Sequence, residues 1–133
     1  MGGKLDHVNL AAEDAAAMAA VFRDVLGLDV EEECVVEEQG VKVLKLGAGG
    51  TTVEITEPLG PDTPVGRFLA KRGPGIHHLA FEVPDLEAKL EELKAAGVRL
   101  VDVAPRIGAG GHRIAFVHPA AFGGILVELV EKH

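Results

Sequence analysis

The chain repeats itself, and that constrains its fold more than any other feature. Leu5-Asp6-His7-Val8-Asn9-Leu10 lines up with Ile76-His77-His78-Leu79-Ala80-Phe81. Each stretch is followed by an Asp and then a helical run closing at glycine: Asp14 to Gly27, and Asp85 to Gly97. The Asp carboxylate accepts the free N–H groups of a first helical turn, and Gly enters the left-handed region cheaply. Between these caps, residues 15–26 and Leu86–Leu93 read as amphipathic helices. Strand-like pieces follow in both halves: Leu28–Val36, Val41–Leu46 and Thr51–Glu57, then Val98–Val103, Arg113–Val117 and Gly124–Val130. The Gly-Ala-Gly-Gly segments at 47–50 and 108–111 are turn material. They lack the Lys-Ser/Thr ending and following helix of a phosphate loop. Thr63-Pro64 is an N-cap with Pro at the first helical position, which predicts a connecting helix over 64–72. The predicted class is α+β: two tandem βαβββ modules pairing into a curved mixed sheet around a central cleft. Repeat one covers about 4–57, the connecting segment about 60–73 and repeat two about 75–131, all within a single domain, 1–133.

At 133 residues and 47% hydrophobic, the chain is long enough to bury a core. Thirteen Lys and Arg against 21 Asp and Glu give a net charge of −8. That field repels phosphate backbones and anionic headgroups, which argues against nucleic acid and membrane surfaces as partners. An anionic small molecule is still compatible if a metal or a local basic patch offsets the charge. No apolar run approaches the roughly 20 residues that span a bilayer, and Met1-Gly2-Gly3-Lys4 leads into a strand without a signal-peptide core. Cys34 is the sole cysteine, which excludes an intrachain disulfide and fits a cytoplasmic location. With no Trp and no Tyr, tyrosine is unavailable as an acid or base.

The duplicated positions carry the polar chemistry. Both first strands hold a histidine, His7 and His78, 71 residues apart. Both last strands hold a glutamate in apolar surroundings, Val53-Glu54-Ile55 and Val127-Glu128-Leu129, 74 residues apart. A lone strand histidine is usually just a hydrogen-bonded residue, and a lone strand glutamate usually faces water. Two of each at matching repeat positions point instead to one divalent ion, since a cation compensates two inward carboxylates at once. Two imidazoles and two carboxylates suit Co²⁺, Mn²⁺, Ni²⁺ or Zn²⁺. An octahedral shell would keep two positions for substrate oxygens, a Lewis-acid arrangement. His77 should point to the face opposite its neighbour, and His112, His118 and His133 have no symmetric mate.

These motifs resemble the methylmalonyl-CoA epimerases of the vicinal oxygen chelate superfamily, from Leu5 to Glu131. The resemblance rests on Leu5-Asp6-His7, Glu38-Gln39-Gly40-Val41, Val53–Leu59 and Gly75–Val83. It continues through Gly108–Phe116 with His118-Pro119, and Gly123–Leu129. It implies paired βαβββ modules, a homodimer, an acyl-CoA substrate, and a metal, Co²⁺ first, on His7, Glu54, His78 and Glu128. Some members carry Gln at the second ligand position, and Glu54 here adds negative charge. The implied reaction inverts the α-carbon that lies between a thioester and a carboxylate. Two bases on opposite faces exchange its proton while the developing enolate is stabilised. Glu128 is the candidate for one base. A member of the family uses a further Glu in the strand after Glu-Gln-Gly-Val, but Val41–Leu46 has no acid. Glu38 is the nearest acidic substitute, and a hydroxide on the metal is another. Arg113, beside the second Gly-rich turn, is the candidate contact for coenzyme A phosphates or the substrate carboxylate, or else a solvated surface arginine.

Glyoxalase I shares a His-Glu-His-Glu ligand set, but tends to have Asp-Pro-Asp-Gly where this chain has His118-Pro119-Ala120-Ala121-Phe122-Gly123. Extradiol dioxygenases commonly use a Tyr that is missing here. Drug-sequestering members lose the ligands and stack their guests on aromatic rings, whereas aromatics make up 4% of this chain.

Overall fold

In a computed structural model, residues 3–132 are described, so His133 lies outside the described residues, as do Met1 and Gly2. The chain divides into two compact units. His7–His77 forms one. The stretch from His78 onward, with the start of the first strand, forms the other.

The first unit contains β1 (Lys4–Ala11, its first residues counted with the other unit), α1 (Ala15–Leu26), β2 (Val30–Val36), β3 (Val41–Gly47), β4 (Thr52–Pro58) and α2 (Pro64–Arg72). Its strands run in the order β2-β3-β4-β1, with β1 parallel to β4 and the other pairs antiparallel. Asp14 caps α1 by accepting from the Ala17 N–H, and Gly27 closes it at φ 70°. Thr63 caps α2 in the same way at the Gly66 N–H. Strand alternation sorts the side chains onto two faces. Ala12, Leu44, Leu46 and Ile55 face α1, whose Ala15 and Ala19 allow close approach. Ala11, Val41 and Val43 take the other face, against Val65 and Leu69 of α2.

The second unit repeats this plan with β5 (Gly75–Glu82, its first residues counted with the other unit), α3 (Leu86–Ala95), β6 (Arg106–Ile107), β7 (Arg113–Val117) and β8 (Val127–Glu131). β5 runs parallel to β8, and β8, β7 and β6 follow antiparallel. Asp85 caps α3 at the Ala88 N–H. Leu86 and Leu90 of that helix pack on Ala115, Val117, Val127 and Leu129. Removing Leu90 to Ala, at 1% exposure, would cost about 2–5 kcal/mol.

The strand expected over Val98–Val103 does not form. Leu100 makes one isolated bridge with Val117. Beyond it the N–H groups of Val101 and Asp102 both turn to the Phe116 carbonyl, and the Asp102 side chain takes the Phe116 N–H at 2.8 Å. A side chain thus occupies the donor a ladder would need, and Pro105 brings no N–H of its own. The edge position falls to the two-residue β6 instead. Both Gly-Ala-Gly-Gly segments are turns, with Gly49 and Gly50, then Gly110 and Gly111, at positive φ. No helix of the described residues is long and apolar enough to cross a membrane.

Candidate functional site

Each unit buries one histidine–glutamate pair. In the first, β1 presents His7 and β4 presents Glu54, with His7 Nε2 3.3 Å from Glu54 Oε1. In the second, His78 of β5 and Glu128 of β8 meet at 3.2 Å. His7 is 5% exposed, and the other three are 6%. The register is shared as well. Asn9, two residues beyond His7, is the partner of Glu54, while Ala80, two beyond His78, is the partner of Glu128.

A buried carboxylate costs several kcal/mol when nothing compensates it. His7, Glu54 and His78 each offer one buried ligand atom to a metal ion, and Glu128 offers the same donor type. Imidazole nitrogen beside carboxylate oxygen is the donor chemistry of borderline divalent ions, so the residues fit such a group.

The surroundings of the two glutamates differ. Asn9 Nδ2 donates to Glu54 Oε1 at 3.2 Å and approaches Thr56 Oγ1 at 2.7 Å, all within a buried cluster. The amide's own Oδ1 is buried without a hydrogen-bond partner among the described residues, a cost of about 1–3 kcal/mol. At the corresponding places of the second unit stand Ala80 and Val130, both buried and apolar. There the His78 ring meets the Phe116 ring edge-on, centroids 5.2 Å apart.

The cations divide by face. Arg113 is the β7 partner of Glu131. Its guanidinium binds Glu131 at 3.1 Å and also Glu87 of α3. The hydrogen bond to Glu87 is the main cause that raises its pKa above the ordinary value. By alternation this places Arg113 on the α3 side of the strands, opposite Glu128. Glu131 is partner there to the α3 N-terminus too, accepting from the Leu86 N–H. Arg106 stands on the other face. It pairs in register with Ile114, lies over the Phe116 ring with Cζ 5.4 Å from its centroid, and is steadied by Asp102 at 3.3 Å. In the first unit, Lys45 is the β3 partner of Glu54 and reaches Glu32 at 3.2 Å.

Glu38 sits exposed on the single turn Glu37–Gln39 after β2. His77 packs edge-on against Phe68 of α2. His118 caps the turn that follows it, accepting from the Ala120 N–H at its Nδ1. Sequence reasoning passed over Asn9, Thr56 and Arg106. Strand alternation counted from Glu54 would have flagged Thr56, and counted from His7 would have flagged Asn9.

A family model described as the Glyoxalase/Bleomycin resistance protein/Dioxygenase superfamily matches residues 6–116. An ethylmalonyl-CoA/methylmalonyl-CoA epimerase of Cereibacter sphaeroides is 40% identical over 97% of this chain and 98% of its own. The crystal structure of methylmalonyl-CoA epimerase from Mycobacterium tuberculosis has a TM-score of 0.93 at 38% identity, covering 98% of this chain and 88% of that one. A methylmalonyl-CoA epimerase solved with methylmalonyl-CoA and NH4+ also scores 0.93, at 37% identity over 98% and 94%. The chain therefore belongs to the Glyoxalase/Bleomycin resistance protein/Dioxygenase superfamily, and within it to the methylmalonyl-CoA epimerases.

Proposed function

We propose that this chain interconverts (R)- and (S)-methylmalonyl-CoA, with one divalent metal ion held by His7, Glu54, His78 and Glu128. The observation that carries the reading is the twofold occurrence of a buried His–Glu pair at matching register, in a chain whose relatives are epimerases. When bound, the ion supplies Lewis-acid polarisation of substrate oxygens. Co²⁺ is the first ion to test, then Mn²⁺, Ni²⁺ and Zn²⁺.

The protein's own groups hold and move the proton. Glu128 takes the proton from one face of the α-carbon in one direction of the reaction and delivers it to that face in the other, serving as base or acid accordingly. A second carrier is needed for inversion, and Glu38 is the acid proposed for it. The buried setting of both pairs excludes bulk water and strengthens every charge interaction there. Arg113 can serve as the contact for coenzyme phosphates only by releasing Glu87 and Glu131. A homodimer and a cytoplasmic location belong to the same proposal. Exposed Val21, Val25 and Leu26 on α1 supply apolar surface for association, which sedimentation velocity tests.

The decisive experiment mixes Co²⁺-loaded protein with one epimer of methylmalonyl-CoA in D₂O. NMR follows loss of the α-proton signal and a stereospecific assay follows the other epimer, with Glu128→Ala and enzyme-free controls. Exchange and inversion far above the controls support the epimerase. Metal bound at one ion per chain without exchange overturns the reaction while keeping the site. The glutathione–methylglyoxal hemithioacetal is then the next substrate.

A further inference from the structure

A row of register partners crosses the first unit beside the proposed metal ligands. Asn9 is the partner of Glu54, Glu54 of Lys45 and Lys45 of Glu32, so all four side chains rise from the same face of the sheet. Of the two lysines in β3, Lys42 pairs in register with Glu57 on the α1 side, and Lys45 takes the face of Glu54. β2 and β4 contain neither Lys nor Arg. Lys45 is therefore the cation that these strands bring to the ligand face. Its side chain is 17% exposed, and its ammonium meets Glu32 Oε2 at 3.2 Å. The fold does not require a lysine there. The equivalent place in the second unit, the β7 partner of Glu128, is held by Phe116, which is buried. Nor does the pair with Glu32 account for it. The Glu32 side chain is 52% exposed, and a cross-strand pair open to water contributes little. A mostly buried ammonium is costly to keep, and one solvated counter-ion does not offset it.

We propose that Lys45 is a specificity-determining residue: its ammonium leaves Glu32 to bind the free carboxylate of the acyl group, beside Glu54. The proposal rests on the epimerase reading and adds to it how a carboxylated acyl-CoA is told from a neutral one. That carboxylate is bonded directly to the reacting α-carbon, whereas the coenzyme phosphates lie at the far end of a long arm. A cation in register with a metal ligand therefore meets the carboxylate. Glu54 and Glu32 alone would repel it, and Lys45 offsets them. Glu32 holds the ammonium in place before substrate arrives and, as the exposed partner, gives it up at little cost. A contact made equally with substrate and transition state shows in KM rather than in kcat.

Isothermal titration calorimetry at saturating Co²⁺ compares two probes that share the coenzyme: malonyl-CoA, which carries the carboxylate, and propionyl-CoA, which lacks it. Lys45→Met is expected to weaken malonyl-CoA by about 10–100-fold, the range of one lost charge-assisted hydrogen bond, and to leave propionyl-CoA unchanged. KM for methylmalonyl-CoA should rise by a similar factor with kcat near that of wild type. Lys45→Arg should recover part of the loss, and Glu32→Gln should tighten malonyl-CoA by removing the competing charge. Equal weakening of both probes in Lys45→Met overturns the proposal, since it would put Lys45 at the coenzyme phosphates. A merely structural Lys45 would lower the thermal midpoint in Lys45→Met and leave the ratio of the two affinities as in wild type, which overturns it too. Should Lys45→Met not fold, Lys45→Gln and Glu32→Gln carry the same comparison. Wild type that does not invert methylmalonyl-CoA overturns the epimerase reading instead, so the two failures are distinct.

Discussion

The halves of the molecule have the same strand order, the same Asp caps at their first helices and the same buried His–Glu pair, yet the residues beside the two glutamates differ. Asn9 donates to Glu54 and meets Thr56, whereas the corresponding places in the second half are taken by the apolar Ala80 and Val130. What duplication preserves is the backbone register that brings a strand His to a strand Glu. What has diverged is the pair of side chains around the carboxylate, polar in the first half and apolar in the second.

The largest expected effect breaks this comparison directly. Glu128→Gln should lower deuterium exchange by about 10²–10⁴-fold, the usual worth of a positioned base. Glu54→Gln keeps an oxygen donor and the Asn9 neighbour, so it should lower exchange by no more than about tenfold. Equal losses in both variants would mean that the two glutamates do not differ in role.

A second contrast sets one face of the second unit against the other. Arg106 lies on the Glu128 face over Phe116, whose ring edges His78, while Arg113 lies on the α3 face with Glu87 and Glu131. If Arg106, which shares the Glu128 face, is the cation that meets the substrate, Arg106→Met should raise KM for methylmalonyl-CoA by about tenfold, the scale of one lost charge-assisted hydrogen bond. Arg113→Met should leave KM alone and lower the thermal midpoint. The reverse outcome would favour Arg113 as the anion contact.

Why some of this was legible from the sequence and some was not follows from how the repeat was found. A search for internal similarity recovers what the halves share. Asp14 and Asp85, Thr63-Pro64, His7 with His78 and Glu54 with Glu128 were all readable, because each is a local chemical rule or a matched pair. The same search is blind where the halves differ, which is where Asn9 and Thr56 stand. The apolar run Val98–Val103 looked like a strand because periodicity reports burial and propensity. It cannot report that Asp102 takes the Phe116 N–H. Arg113 drew attention by lying next to a glycine turn, but only pairing with Glu131 reveals the face it occupies.

The smallest effect sharpens the comparison at the helix ends. Glu57 accepts from the Ala15 N–H at 2.9 Å, and Glu131 accepts from the Leu86 N–H at 2.7 Å. Each therefore places a carboxylate at a helix N-terminus, where the aligned peptide dipoles favour negative charge. Glutamine at either position keeps an acceptor oxygen and removes only the charge. Glu57→Gln should cost about 0.5 kcal/mol, since its other partner, Lys42, is distant at 4.0 Å. Glu131→Gln should cost about 1 kcal/mol, since Arg113 at 3.1 Å loses its counter-charge as well. Urea titration of the metal-free protein measures both. Both losses should shrink at high salt, because partly exposed charges are screened. Equal losses in the two variants would show that the Arg113 pair adds nothing, and that the two halves are capped alike despite it.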